Sequence, residues 1–479
     1  ALTAQPGPGN LIAASATKSE VKLSWSGAAA GGYVIESLGP SRQWKPFGAP
    51  LTGASATLPV EPFATYTLRV RATAGGAPSN EITVGPPPVG FHKVLAPPKA
   101  LAESPSRFAP RLAMTLDDNG DPMFAYAVVD PRNEQVAEHN ELWFVSWSRA
   151  RYKWNDPVRV DVIGDANLGG ADWKTHRYAL FYVFGRTELR LAVSEDGGAA
   201  WKVQSVSKAP ADTEFIAPQL AAGDGRFYVA YYQTPDGLHF RGGAQGDAPE
   251  KWSTEMVPKM EGTASHGTTA LSLAADAEGK PALAYQLLPS DGYNVTLAYW
   301  RPGGTPVKAM DSAGAQMDDP SVRLVFQGTS PRIIAYMRRD DEFWQNRRQI
   351  WVARSANGSS WEPPAPLPND GGNAMGAPLS LGFASSGKMA ASAQVTGGNN
   401  TGTRCGQPKL ITAAEPGQWT ICAAGATTGS PESDLSNPLL VYAANDKLYI
   451  GYVAVSNAKL GPGIHLWRVR GNTRWVLLG

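Results

Sequence analysis

Aromatic residues recur along this chain at a nearly fixed interval, and that periodicity restricts the fold more than any other feature. A tyrosine within a short apolar run stands at Tyr126, Tyr182, Tyr231, Tyr285, Tyr336 and Tyr452, with steps of 49 to 56 residues up to Tyr336 and one double step of 116. The unit skipped by the double step is Met389-Ala390-Ala391-Ser392-Ala393, a run of the same kind without its aromatic. A tryptophan marks a later run in each unit, at Trp154, Trp201, Trp252, Trp361, Trp419 and Trp475, and the unit lacking one lies near Val307. Both series independently give seven units. Self-similarity at a period of about 50 residues signals a repeat architecture rather than a set of unrelated domains.

Within the units a Gly, Asn or Asp turn precedes the tyrosine run, as in Asp118-Asn119-Gly120-Asp121, Gly223-Asp224-Gly225-Arg226, Ala277-Glu278-Gly279-Lys280, Ser386-Gly387-Lys388 and Asn445-Asp446-Lys447. Such turns close β-hairpins. A third run follows, for example Leu189-Arg190-Leu191-Ala192-Val193 or Gln349-Ile350-Trp351-Val352-Ala353, and then the tryptophan run. Four antiparallel strands per unit, seven times over, predict a β-propeller of seven blades, with six or eight as alternatives. Closing the ring protects strand edges that a single blade would expose. Two segments compete to complete it, Phe91-His92-Lys93-Val94-Leu95 and Trp475-Val476-Leu477-Leu478.

Residues 11 to 84 follow another pattern. Short alternating runs, Val21-Lys22-Leu23-Ser24-Trp25, Tyr33-Val34-Ile35-Glu36, Tyr66 to Ala72 and Glu81-Ile82-Thr83-Val84, are separated by Gly, Pro and Ser. Period-two runs of this kind are strands of an antiparallel sandwich. The pattern resembles a fibronectin type III module: Trp25 matches its strand-B core tryptophan, Leu58 with Tyr66 its tyrosine-corner region, and Ser79-Asn80-Glu81 the approach to its last strand. Gly85-Pro86-Pro87-Pro88 then reads as a stiff linker. The expected organisation is all-β: a fibronectin type III-like β-sandwich over 1–86, a linker and possible ring-closing strand over 87–104, and a β-propeller over 105–479.

One turn carries a further resemblance. Ser194-Glu195-Asp196-Gly197-Gly198-Ala199-Ala200-Trp201 is similar to the Asp-box, Ser-x-Asp-x-Gly-x-x-Trp, of the bacterial neuraminidase repeat. Ser355 to Trp361 is a shortened version, and Ser148 to Trp154 a weaker one. In this motif Ser194, Asp196, Gly198 and Trp201 have structural work: the Asp bonds N–H groups of its own turn, Gly takes positive φ, and Trp packs between sheets. It speaks for the fold and not for catalysis.

Composition narrows the function classes. A length of 479 residues predicts two to four domains, at about 150 residues each. Lys and Arg number 43 against 42 Asp and Glu, so no overall field draws the chain to nucleic acid or an anionic membrane. No apolar run approaches the roughly 20 residues of a membrane helix, so membrane insertion is not expected. The start Ala1-Leu2-Thr3-Ala4 fits removal of a signal peptide, although an artificial start would look the same. Cys405 and Cys422 would form a disulfide in an exported protein, or stand as two buried free thiols. A secreted, periplasmic or cell-surface monomer is expected.

Long connections on one face of a propeller, where the second strand of a blade turns into the third, motivate a site there. Three are long: Val129 to Glu141, Met337 to Arg348, and Val395 to Pro408. The second contains Arg338, Arg339, Asp340, Asp341, Glu342, Trp344 and Arg347. Guanidinium groups bind carboxylates, carboxylates act as acid or base, and Trp offers a stacking surface. The first contains Asp130, Arg132, Glu134, Glu138 and His139; segments between blades add His266, Asp318 with Asp319, Asp172-Trp173 and Asp434. Asp340, Asp341, Glu342 and His266 are the candidate catalytic groups. Arg338, Arg339, Trp344, Arg347, Asp130, Arg132, His139, Asp318 and Asp319 are the candidate ligand contacts. A solvated, self-neutralising loop and a hydrogen-bonded structural histidine are the bland alternatives. No zinc, EF-hand, P-loop or dinucleotide spacing occurs, so neither a metal nor another cofactor is expected.

Sialidases need an arginine cluster, a Tyr–Glu nucleophile and an Asp acid/base, and carry an early aromatic-Arg-Ile-Pro motif. Here Arg107-Phe108-Ala109-Pro110 has the arginine on the wrong side of the aromatic, and Phe215-Ile216-Ala217-Pro218 repeats the pattern as a packing motif. Together with seven units instead of six blades, this argues against true sialidase activity. Two readings remain: a propeller binding a glycan, polysaccharide or cell-surface protein, and a glycoside hydrolase or polysaccharide lyase using the same loop groups. The absence of a complete catalytic set at motif-matched positions favours binding.

Overall fold

The computed structural model describes residues 8–27, 29, 31–95, 111–128, 140–163, 167–174, 177–185, 187–260, 263–289, 296–311, 322–339, 347–366, 375–383, 389–395, 408–415, 418–423, 435–443, 447–454 and 463–468. These residues are nearly all strand; a single 3-10 turn, Pro249–Lys251, interrupts them. Among them no helix is long and apolar enough to cross a membrane. The chain divides into two compact units. One comprises Ala1–Val89 with Leu116–Pro122 and Val145–Asp156; the other comprises Gly90–Thr115, Met123–Phe144 and Pro157–Gly479.

In the first unit two antiparallel sheets follow from the alternating runs. One orders Gly9–Ala16, Glu20–Ser26 and Ser55–Pro59; the other orders Trp44–Pro46, Tyr33–Leu38, Tyr66–Ala72 and Ile82–Val84. Alternation sends every second residue inward, and Leu11, Val21, Leu23, Trp25, Tyr33, Ile35, Leu58, Leu68, Val70 and Val84 form the core. The Tyr66 hydroxyl, at the start of its strand, accepts a bond from the Glu61 N–H (3.0 Å), which pins the connection before it. Asn80 bonds both the N–H (2.7 Å) and the carbonyl (2.9 Å) of Leu11, which ties the last strand to the first. The segments 116–122 and 145–156, expected to belong to the repeats, group with this unit for a local reason. Arg149 donates to the Pro62 carbonyl (2.7 Å), and the Trp147 indole donates to the Gly85 carbonyl (2.8 Å).

Among the described residues seven further sheets follow, one of five strands and six of four. The first runs through Arg111–Leu116, Pro122–Val128 and Asn140–Ser148, and its outer strand is split into Lys153–Trp154 and Val158–Ile163, both paired with Asn140–Ser148. The next five are meanders in chain order. They are Asn167–Lys174 to Lys202–Lys208, Phe215–Gly223 to Ser253–Met256, Thr263–Ala275 to Val307–Asp311, Val322–Gln327 to Ala365–Pro366, and Met375–Phe383 to Gln418–Ala423. The seventh takes Leu435–Ala443, Lys447–Ala454 and Gly463–Arg468 and completes itself with Gly90–Leu95, which pairs antiparallel with Gly463–Arg468. Trp475 to Leu478, the competing segment, lies outside the described residues.

Apolar clusters lie between consecutive sheets, joining the first to the second, the second to the third, the third to the fourth and the fourth to the fifth. From the second sheet to the seventh, the first strand of each packs against the first strand of the next. Gly451 of the seventh sheet lies so close to Phe124 of the first that a Cβ there would strike the ring.

Candidate functional site

Within the tyrosine series, Tyr182, Tyr231 and Tyr285 tie neighbouring sheets together. Tyr126, Tyr182, Tyr231 and Tyr285 are 0 to 3% exposed. Tyr285 donates to the Pro258 carbonyl (3.1 Å), just past the last strand of the preceding sheet. Tyr231 bonds Ser207, on the last strand of its own preceding sheet, and receives a bond from Arg241. Tyr182 donates to Asp161 Oδ2 (2.6 Å), on the split outer strand of the first sheet. Burial, the largest cause, holds the Tyr126, Tyr182 and Tyr285 hydroxyls well above the usual tyrosine range. A tyrosine acting as nucleophile needs the opposite, a lowered pKa or an adjacent base that can take its proton.

The turn from Ser194 to Trp201 is closed by its own side chains. Ser194 Oγ donates to Asp196 Oδ1 (2.8 Å), the Gly198 N–H donates to Ser194 Oγ (2.8 Å), and the Ala200 N–H donates to Asp196 Oδ1 (2.9 Å). These bonds, that from Ala200 foremost, hold the Asp196 carboxyl below the usual range. The Trp201 indole donates to the Gly198 carbonyl (3.1 Å), and its ring meets Phe144 edge-on at 5.1 Å. The shortened turn repeats this: Gly358 N–H to Ser355 Oγ (2.8 Å), Ser359 N–H to Asn357 Oδ1 (3.0 Å), Trp361 indole to Gly358 carbonyl (3.1 Å), and Trp361 against Tyr299 at 5.4 Å. The side-chain oxygens of Ser194, Asp196, Ser355 and Asn357 all bond within their own turns, which is a structural arrangement.

Of the groups singled out from sequence, the structure brings the arginines together. In the fifth sheet Arg338 stands directly opposite Arg348, and Arg339 directly opposite Arg347. Directly opposed residues share a face and successive residues alternate. One face therefore carries Val322, Leu324, Ile333 and Ala353, which pack toward the fourth sheet. The other carries Arg323, Ile334, Tyr336, Arg338 and Arg348. Arg323 was not anticipated; its one hydrogen bond among the described residues goes to the Val322 carbonyl (3.3 Å), and desolvation pushes its pKa below the usual arginine range. His266 is opposite Leu287 in the first strand of the fourth sheet, beside a break in register, and Asp172 is opposite Ala179 in the second sheet. Asp340, Asp341, Glu342, Trp344, Asp130, Arg132, Glu134, Glu138, His139, Asp318, Asp319 and Asp434 lie outside the described residues. Cys422 pairs with Leu410 in register, but Cys405 is also outside them. Among the described residues no three His, Cys, Asp or Glu groups are placed to hold a metal ion.

A second polar cluster was not anticipated. Asp161 Oδ2 also accepts from Arg190 (3.0 Å), whose other terminal nitrogen donates to Glu188 Oε2 (2.9 Å). The Arg190 guanidinium stacks over the Phe184 ring at 3.6 Å. Burial opposes ionisation of Glu188, but the hydrogen bonds from Arg190 and Ser205 and the Arg190 and Lys208 charges outweigh it, and its pKa is lowered. Elsewhere on the first sheet, Glu141 accepts from the Trp143 indole (3.1 Å) and from Arg159 (3.1 Å). Between the same two sheets lies a small gap of about 10 Å³ lined by Met123, Phe124, Phe144, Tyr178, Leu180 and Trp201, too small and too apolar to orient a polar ligand.

Neither a family model nor a curated protein matches the chain. Among solved structures, the fucose-specific lectin of Aleuria aurantia is 14% identical with a TM-score of 0.40, covering 72% of this chain and 100% of the lectin. A Hadza microbial sialidase is 11% identical with a TM-score of 0.43, covering 98% of this chain and 93% of the sialidase. An α-L-arabinanase of Penicillium chrysogenum is 15% identical with a TM-score of 0.41, covering 64% of this chain and 94% of the arabinanase. At these identities and TM-scores the likenesses carry no weight for function.

Proposed function

We propose that this chain is a seven-bladed β-propeller preceded by a fibronectin type III-like sandwich, and that it binds an anionic glycan at the end of the fifth blade, outside the cytoplasm. The observation that carries the reading is the register of Arg338 with Arg348 and of Arg339 with Arg347. Like charges directly opposite each other destabilise a hairpin, so two adjacent pairs call for anions nearby. Asp340, Asp341 and Glu342 supply three negative charges against the four arginines of this hairpin end, which leaves one positive charge for a ligand. Arg323, on the face of Arg338 and Arg348, adds a desolvated cation. Guanidinium forks match carboxylate and sulfate geometry. Binding without turnover is favoured because burial raises the pKa of Tyr126, Tyr182, Tyr231 and Tyr285, and because the Ser194, Asp196, Ser355 and Asn357 oxygens bond within their own turns.

The test is a glycan array with a parallel polysaccharide-depolymerisation screen, run on the wild type and on Arg338→Ala, Arg348→Ala and Asp340→Ala. Salt-sensitive binding of uronate, sialylated or sulfated glycans, weakened in both arginine variants, is expected. Unchanged binding in both variants removes the site from the fifth blade. Depolymerisation lost in Asp340→Ala replaces the binding reading with a catalytic one.

A further inference from the structure

Four of the arginines drawn out of water have firm partners. Arg149 meets Asp121, Arg301 meets Asp276, Arg241 donates to the Val206 and Pro249 carbonyls, and Arg332 donates to the Ser355 carbonyl. Arg323 differs. Its one hydrogen bond among the described residues is a long one to the carbonyl of its own neighbour Val322 (3.3 Å), and burial lowers its pKa with no carboxylate acting against it. Val322 and Leu324 pack toward the fourth sheet, so alternation turns Arg323 toward the sixth. Its own face of the fifth sheet carries Arg332, Arg338, Arg348 and Arg354, and no acidic residue in the described strands. The first two strands of the sixth sheet, Met375–Phe383 and Met389–Val395, contain no charged residue. Glu415 of that sheet lies past the far end, beyond Ala413, which stands opposite Met389. Counted from Pro281 and Pro331 in the second strands, the same place in the fourth sheet is Ser272, whose hydroxyl accepts from the Leu324 N–H (3.0 Å). A small hydroxyl is enough there to bridge two sheets. A guanidinium in that place without a counter-ion costs desolvation that packing does not return.

Given the arginine hairpin as the binding site, we infer that Arg323 takes a second anionic group of the same ligand, which is therefore an acidic polysaccharide with repeated charge and not a glycan ending in one acidic sugar. The register sets the geometry. Arg323 stands opposite Ile334, and the second strand runs on to Arg338 on the same face, a rise of about 13 Å over four residues. Arg338 and Arg348 thus mark the end of the hairpin, and Arg323 its foot, on the strand that packs against the first strands of both neighbouring sheets. The charges agree with two anions. Asp340, Asp341 and Glu342 leave one positive charge among the four arginines of the hairpin end, and Arg323 adds another. Two anionic groups balance these, and the rise between the two places puts them on different sugar units of one chain. A guanidinium fork binds carboxylate or sulfate through paired N–H donors, so uronate and sulfated polysaccharides share the chemistry required. An acidic monosaccharide fills one place and leaves the other empty.

The test is calorimetric titration of the full chain with two size series. Oligogalacturonates carry carboxylates alone, and chondroitin sulfate oligosaccharides add sulfates; each series runs from its shortest member to its hexasaccharide. In at least one series the wild type is expected to bind the hexasaccharide at least tenfold more tightly than the shortest member. Arg323→Gln, which drops the charge, and Arg323→Lys, which keeps it and loses the fork, should each remove most of that preference. Arg323→Gln also removes a charge without a counter-ion, so its urea midpoint should not fall. Arg338→Ala should weaken binding at every length. Equal affinity for all lengths in the wild type, or a length preference that withstands both Arg323 variants, overturns the inference and leaves the hairpin site standing. Binding that withstands Arg338→Ala removes the hairpin site itself, and the inference with it. Failure of both Arg323 variants to fold shows that the guanidinium serves the packing, which also overturns the inference, as does absence of binding in both series.

Discussion

Arg149 and Asp121 form an ion pair that is almost entirely withdrawn from solvent, with side chains 2 and 1% exposed. Two guanidinium nitrogens reach the two carboxylate oxygens, and two further bonds go to the carbonyls of Pro62 and Asn119. Removing one member strands the other in a site that water does not reach. Arg149→Met should therefore lower stability by about 3 to 5 kcal/mol. Replacing both, as Arg149→Met with Asp121→Leu, should recover part of that loss. Urea unfolding of the two variants measures the difference; a single-variant loss no larger than that of a surface pair contradicts the burial.

Gly198 is placed under two constraints that Gly197 bears only once. Both have positive φ, 91° and 77°, but a Cβ on Gly198 runs into the Phe144 ring while one on Gly197 meets open space. Gly197→Ala should cost about 1 to 2 kcal/mol from backbone conformation alone. Gly198→Ala should cost that and a further 1 to 3 kcal/mol of overpacking. Gly358→Ala should behave like Gly198→Ala, because its Cβ would meet the Tyr299 ring. Thermal denaturation of the three variants ranks them.

Much of the architecture was legible because its signals are local or periodic. A closed turn could be read at Ser194 to Trp201 since every bond in it lies within eight residues. Four tyrosines of the series, Tyr126, Tyr182, Tyr231 and Tyr285, mark second strands that are buried alike. What the tyrosines do was not legible: Asp161 and Tyr182 are 21 residues apart and meet only because the outer strand of one sheet lies beside the second strand of the next. Arg190 was in view as part of an ordinary alternating strand, and its position opposite a ladder tyrosine is the signal that would have marked it. The partner of Gly90–Leu95 needed the structure as well, since two segments with similar apolar patterns competed for the same edge.

His239 makes stability depend on pH. Its ring stacks on Tyr231 at 5.4 Å, its Nε2 is buried without a hydrogen bond among the described residues, and burial lowers its pKa, with Arg241 acting in the same direction and Asp236 against it. The folded state thus binds a proton less readily than the unfolded state, whose histidine titrates near 6.5. The stability due to neutral His239 is complete above about pH 6.5 and is lost as pH falls through the lower folded value. Denaturant midpoints measured between pH 7.5 and 5 should fall, and His239→Phe should flatten that slope. An equal slope in the variant assigns the pH dependence elsewhere.

The tyrosine ties should differ in strength according to what they hold. Tyr285→Phe removes one hydrogen bond to a backbone carbonyl, a loss of about 1 kcal/mol. Tyr182→Phe removes a bond to a carboxylate, which is charge-assisted and worth roughly 1.5 to 3 kcal/mol, but Arg190 still neutralises Asp161 and limits the damage. Arg190→Leu leaves both Asp161 and Glu188 without their cation and should cost more than either tyrosine change. That third loss should shrink on acidification, because Glu188, held ionised by Arg190 in the wild type, can take up a proton once the guanidinium is gone. Chemical denaturation of the three variants at neutral and at mildly acid pH gives the order. A Tyr182→Phe loss equal to that of Tyr285→Phe would show that Asp161 acts as an ordinary neutral-type acceptor, with its charge already spent on Arg190.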